Sequence, residues 1–209
     1  CSFNSHIFLT DFFNSICFFC KIFFLSLNCT LITYRNIDNT DITSAEKIAV
    51  KAKDYYKADV EAVGASIGGF TGGAIVADAQ NNSETKIFVE RSSMQSDTIE
   101  LDALKENSVK AMGASGALSL VEGSGTVAIA EDKGLSKVEI GEHNDFDAKN
   151  VILTSTNKPK AETEITKVSV GGICVTGTVS KAIASGTAAT VVAGNNPFDV
   201  RDIEVSART

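Results

Sequence analysis

Four β-like strings recur along this chain at a nearly fixed interval, and that register limits its possible folds more than any other feature. They are Ile48-Ala-Val-Lys-Ala52, Ile99-Glu-Leu-Asp-Ala103, Val151-Ile-Leu-Thr-Ser155 and Ile203-Glu-Val-Ser-Ala207, and their starts lie 51, 52 and 52 residues apart. Each alternates apolar with mostly polar positions, the period-2 pattern of a strand that buries one face. A second string precedes the later three: Lys86-Ile-Phe-Val-Glu90, Lys137-Val-Glu-Ile-Gly141 and Thr190-Val-Val-Ala-Gly194. The steps from Ile87 to Ile99, Val138 to Val151 and Val191 to Ile203 are 12, 13 and 12 residues. Two features in one register mark a repeat architecture.

Gly, Ala, Ser and Val fill the intervals. Three copies begin at Val63-Gly-Ala-Ser66, Met112-Gly-Ala-Ser115 and Val170-Gly-Gly-Ile173. The spacing of Gly64, Gly68 and Gly72 matches a helix-dimer face in a membrane. The uncharged run from Ala62 to Ala77 is only sixteen residues, however, and Glu122 and Lys181 interrupt the later copies, so a spanning helix is not expected. Small side chains instead allow neighbouring coils to pack closely. Clusters such as Asn81-Asn-Ser83, Glu142-His-Asn-Asp145 and Gly194-Asn-Asn-Pro197 supply turn chemistry. Ile48, Ile75 and Ile99 are 27 and 24 residues apart, which suggests rungs of about 25 residues, two per repeat, and six or seven rungs over residues 45–209. The expected fold is all-β, a parallel β-helix or solenoid built from 51–52-residue repeats. A βαβ arrangement fails for lack of helices: Ala45–Tyr56 and Asp97–Val109 have helix propensity, but both overlap repeating strand strings.

Composition divides the chain at residue 36. Residues 1–36 hold eight of the twelve Phe and four of the five Cys, with no Gly, Ala, Val, Glu, Gln, Pro or Met. Residues 37–209, the expected repeat region, hold all sixteen Gly and both Pro. The leader contributes only Lys21, Arg35 and Asp11 to the charge, leaving 17 basic and 25 acidic residues in the remainder. An acidic body argues against a nucleic-acid surface. Ile16–Leu27 is too short to span a bilayer, and no basic residue precedes Lys21 as a signal peptide requires. The first Met is Met94, and the leader lacks Gly, Ala and Pro, which have GC-rich codons. The leader is expected to be read-through of AT-rich sequence, with a crude membrane segment as the alternative.

Little in the chain suggests catalysis. Cys17-x-x-Cys20 has no second ligand pair for zinc, and His6 and His143 are the only histidines. The motif also lies within Phe-Phe-Cys-Lys-Ile-Phe-Phe rather than at the start of a helix. Cys174 is expected to be a small buried thiol. Glu142, His143, Asp145 and Asp147 read as a solvated turn, because the other repeats lack these acids and the spacing is not that of a calcium loop. Gly64–Gly69 and Gly123-Ser-Gly125 do not complete a phosphate-binding motif. Paired acids could hydrolyse glycosides on a β-helix, but with only four Phe in the body, and three Tyr and no Trp in the whole chain, sugar-stacking platforms are scarce. No catalytic, cofactor-binding or metal residue is assigned.

The body resembles the repeat region of leukotoxin-type filamentous adhesins, which are filamentous haemagglutinin-like. Ile48-Ala-Val-Lys-Ala-Lys53 leads into Ala58-Asp-Val-Glu-Ala-Val-Gly-Ala-Ser66, Gly72-Gly-Ala-Ile-Val-Ala77 and Thr85-Lys-Ile-Phe-Val89, and the pattern returns at 109–140 and 168–193. No G-G-x-G-x-D nonapeptide of the pore-forming leukotoxins occurs. The resemblance implies a right-handed β-helix, export by an autotransporter or two-partner route, and a secreted or outer-surface location. It also implies a shaft fragment that contributes to host-cell adhesion or virulence, with the host surface or matrix reached through the parent protein and neighbouring repeats as its other partners. It implies no cofactor, nucleic acid or small-molecule substrate. A polysaccharide-active β-helix enzyme is the alternative.

Overall fold

The computed structural model describes residues 2–8, 20–29 and 32–209. Twelve strands follow one another: β1 (Ser2–Phe8), β2 (Cys20–Cys29), β3 (Ile32–Asp38), β4 (Asp41–Thr43), β5 (Lys47–Asn81), β6 (Glu84–Glu90), β7 (Ser93–Asp132), β8 (Leu135–Ile140), β9 (Asp145–Lys158), β10 (Ala161–Ala184), β11 (Thr187–Val192) and β12 (Phe198–Arg208). No helix occurs among the described residues. The segments with helix propensity, 45–56 and 97–109, enter β5 and β7, where alternating burial of their apolar side chains overrides local preference.

Every strand pair is parallel. One sheet has eight strands along the path β1-β5-β7-β9-β12, with β10, β2 and β4 attached, and the second runs β11-β8-β6-β3. Ile48 opposes Ile99, Ile99 opposes Val151, and Val151 opposes Ile203, so equivalent residues of successive repeats lie side by side. Ile75 pairs with Thr126, a whole repeat further on, and not with Ile99. The expectation of two rungs per repeat is therefore corrected: the chain passes any given point once per repeat. The Gly-rich copies do not stack start to start either, since Met112 opposes Glu61 and Val170 opposes Leu118.

The missing rung is explained by a long flat arm. In β5, β7 and β10 the chain runs outward, bends where ladder pairing skips Gly69, Leu120 and Gly172, and returns. The two walls of the arm face each other: Ser115 Oγ lies 3.1 Å from Thr126 Oγ1, and Thr163 Oγ1 lies 2.6 Å from Ser180 Oγ. Between them is a thin core of Val60, Ala62, Ile75, Ala77, Ala79, Val109, Ala111, Ala128 and Ala130. A Cβ on Gly113 would come within 2.6 Å of Thr126 Cγ2, so the close approach of the walls requires glycine there. The remainder of each pass encloses a second core, where Ile87, Val89, Val138 and Ile140 pack on Met94, Ile99, Leu101, Phe146, Val151 and Leu153. Phe146 and Phe198 stack with ring centroids 4.9 Å apart.

The N-terminal backbone joins the same stack. β2 pairs with 72–81 of β5 and β3 with β6, each at the offset of one repeat, while β1 pairs with 57–63 of β5. β3 crosses the compositional boundary at residue 36 without a break.

Candidate functional site

Among the described residues, four have a left-handed backbone without being glycine: Asn39, Arg91, His143 and Asn195, with φ between 48° and 61°. They recur once per repeat and turn the chain from the smaller sheet back into the larger one. Asn adopts this conformation readily, whereas Arg and His do so at some cost. In three of these turns the next residue caps the turn of the neighbouring pass, and Ser92 and Asn144 are buried. Ser92 Oγ accepts the backbone N–H of Thr40 at 3.2 Å, Asn144 Oδ1 that of Ser92 at 3.0 Å, and Asn196 Oδ1 that of Asn144 at 2.9 Å. The amide of Asn144, fully buried, also donates to the carbonyls of Val89 and Gly141 at 3.3 and 3.1 Å.

This turn holds the acid and histidine cluster read from the sequence. His143 and Glu142 project into solvent with side chains 70% and 56% exposed, and His143 Nδ1 is 4.0 Å from Glu142 Oε2. Asp145 and Asp147 are exposed on β9, and Gln95 Nε2 donates to Asp147 Oδ2 at 2.7 Å. The four do not converge, and among the described residues no group of three or more His, Cys, Asp and Glu is placed to hold a metal ion. Cys17 lies outside the described residues. Cys20 opens β2 opposite Gly72, and His6 lies in β1 opposite Glu61.

Cys174 is exposed, contrary to expectation. It sits on β10, which pairs with β7 along one edge, opposite Glu122, and none of the described strands pairs with its other edge. No helix among the described residues is long and apolar enough to cross a membrane.

Two polar clusters lie inside the structure, where pattern reading placed only apolar side chains. At the junction of arm and body, the fully buried Lys105 donates to Asp54 Oδ2 at 3.2 Å and to the hydroxyl of Ser83. Beside it, buried Asp132 accepts from the side chains of Asn81 at 2.9 Å and Asn107 at 3.3 Å. It also accepts from the backbone of Lys160 at 3.2 Å. Near the bend, Ser124 Oγ contacts both Glu122 Oε1 and Lys167 Nζ, with 3.8 Å between Lys167 Nζ and Glu122 Oε1. Burial pushes the Glu122 carboxyl up, but the Ser124 hydroxyl and the Lys167 charge outweigh it, and the carboxyl ends below its ordinary range. A Ser beside a Lys suggests a nucleophile and its base. Here, however, Lys167 also faces the Glu122 carboxylate across the two paired strands, with the Ser124 hydroxyl between them. Both clusters therefore act as polar ties between neighbouring strands.

On the outer face, carboxylates each gather two lysines, at least one of them from the neighbouring strand. Lys51 contacts Glu100 at 3.0 Å, with Lys47 on the same carboxylate, and Lys86 and Lys137 both reach Glu139 at 2.7 Å. Lys133 and Lys181 flank Glu131 at 2.5 and 2.7 Å.

Comparison with protein-family models, curated proteins and solved structures gives no match. The functional assignment therefore rests on geometry: inward polar ladders, an outer face of alternating charge and a long arm with an uncharged edge.

Proposed function

We propose that this chain is a segment of a parallel β-solenoid shaft, turning once per sequence repeat, within a filamentous surface adhesin of a Gram-negative bacterium. The observation that carries the reading is the column Ile48, Ile99, Val151 and Ile203, one apolar residue per pass at a constant register. A solenoid is assembled this way, each turn covering the apolar face of the next. The asparagine ladder and the lysine–carboxylate rungs support it, since each links residues of successive passes. A shaft works by reach and display rather than by catalysis. Its partners are then the host cell surface or matrix, reached through the parent protein, and further turns of the same kind. Its location is the outer surface or the medium.

Antibodies raised against the purified chain test this directly. They should label intact, unpermeabilised cells that express the parent protein and reduce attachment of those cells to host monolayers. Labelling only after permeabilisation would overturn the surface assignment. Depolymerisation of a polysaccharide by the purified chain, abolished by Asp145→Asn or Asp147→Asn, would replace the shaft reading with an enzymatic one.

A further inference from the structure

The two ends of the larger sheet carry matching open edges. Among the described residues, β12 pairs only with β9, and at the opposite end β4 and residues 47–56 of β5 pair only with β7. Both edges lie in the same columns, because Ile203 continues the series Ile48, Ile99 and Val151. In the inner passes a neighbour closes these columns, and Ile99, Leu101, Val151 and Leu153 are buried. Their counterparts at the end, Ile203 and Val205, are 49% and 52% exposed. An unpaired strand edge of this kind is a template for another strand.

The capping ladder also ends in complementary halves. Ser92 Oγ donates to the Glu90 carbonyl at 2.8 Å while it accepts the N–H of Thr40. Thr40 Oγ1 makes the first of these bonds, to the Asp38 carbonyl at 2.9 Å, and keeps acceptor capacity for a further pass. At the other end the N–H of Asn196, in the same column, meets no oxygen of a further pass among the described residues. Charge follows the same rule. Glu100 lies opposite Ala49 and gathers Lys47 and Lys51, which flank it. Glu204 occupies the column of Glu100, and Asp202 that of Lys47.

We infer that the chain binds a second copy of itself head to tail, with β12 of one copy pairing in parallel with β4 and residues 47–56 of the next. The inference rests on the shaft reading and names a partner for its open edges. In this register Ile203 packs on Ile48 of the second copy, Thr40 of that copy caps Asn196, and Glu204 meets Lys47 and Lys51 as Glu100 does within the chain. Asp202 faces the same Lys47, and the like-charged Arg208 and Lys53 meet at the exposed end of the strand. β1 and β2 of the second copy then fall over β10, and its β3 over β11, since each pair shares columns. A contact between opposite ends does not close on itself, so association continues beyond a dimer into filaments.

Sedimentation velocity of the purified chain over a concentration series should show an open-ended set of species, and electron micrographs should show filaments one stack wide. Glu204→Lys sets a third cation against Lys47 and Lys51, and should weaken association by roughly tenfold or more at unchanged far-UV circular dichroism. Glu142→Lys, in an exposed turn of an inner pass, should leave association intact. Glu204→Lys mixed with the unmodified chain should shorten the filaments, because that variant keeps its head and loses its tail. A monomer at every concentration, or a series that stops at a dimer, would overturn the inference. So would association that Glu204→Lys leaves unchanged. Antibody labelling of intact cells reads the shaft assignment separately, so either can fail without the other.

Discussion

The side-chain oxygen of Asn196 receives the backbone N–H of Asn144 at 2.9 Å, just as Asn144 serves Ser92 at 3.0 Å. The turn of each pass is thus capped by the residue stacked on it, and Asn144 is the fully buried rung. Removing its amide strands the N–H of Ser92 and takes one of two donors from the carbonyls of Val89 and Gly141, which keep the N–H of Gly141 and the amide of Asn196. Asn144→Ala should lower unfolding stability by about 2 kcal/mol. Asn144→Ser should cost less, because Ser92 fills the equivalent rung with a hydroxyl. Urea denaturation of the two variants measures the difference.

Lys105 and Asp54 form a buried ion pair 3.2 Å long. Removing Asp54 takes the paired carboxylate from buried Lys105, which keeps its contact with Ser83, so Asp54→Ala should destabilise by about 3 kcal/mol, whereas replacing both with apolar residues of similar volume costs far less. Asp54→Leu combined with Lys105→Met should therefore be closer to the parent than Asp54→Ala alone. A double-mutant cycle in denaturant reads the coupling, and additive losses would show that the pair contributes nothing specific.

The arm walls predict a ranking among glycines. An added Cβ on Gly64 meets the flexible end of Ile75 at 2.8 Å, and one on Gly113 meets Thr126 Cγ2 at 2.6 Å. On Gly171 it runs into the backbone carbonyl of Ser119, which cannot swing away. Gly171→Ala should be the most destabilising of the three, by more than the ~1–3 kcal/mol usual for overpacking. Gly113→Ala should be partly rescued by Thr126→Ser, which removes the methyl group it meets. Thermal unfolding of the single and paired variants gives the order.

The strands are legible where burial follows simple alternation. Ile99, Leu101 and Ala103 are buried with polar residues between them, so period-2 reading locates β7 and its counterparts. The same alternation continues inward through Lys105 and Asn107 to Val109 and Ala111, all buried. Polar residues at inward positions make that continuation look like the end of a strand. The clue to the true geometry is their recurrence: Asp54, Lys105 and Asn157 occupy equivalent places, as do Ser92, Asn144 and Asn196. The arm is hidden for a different reason, since Gly, Ala and Ser packed wall to wall have the composition of loops. Cys174 departs from expectation because residue type alone cannot tell an inner strand from one with a free edge.

Acid should loosen the outer face in a predictable order. Glu100 is held below its ordinary value of 4.5 by Lys47 and then Lys51, Glu131 by Lys133 and then Lys181, and Glu139 by Lys137 and then Lys86. A carboxylate whose value is lower in the folded chain contributes stability that is complete above its unfolded value and disappears as pH falls through the folded one. The loss therefore begins near pH 4.5 and is complete only below the depressed values. Each rung is partly exposed and is worth no more than about 1 kcal/mol. Glu139→Gln should lower stability by that amount at pH 7 and by progressively less as the pH falls below 4.5 and Glu139 is protonated. Added salt should shrink the pH 7 difference by screening the two lysines. Urea midpoints at pH 7 and along a falling pH series, with and without about 1 M salt, measure all three effects, and a Glu139→Gln penalty that did not shrink in acid would show that the rung acts by packing instead of charge.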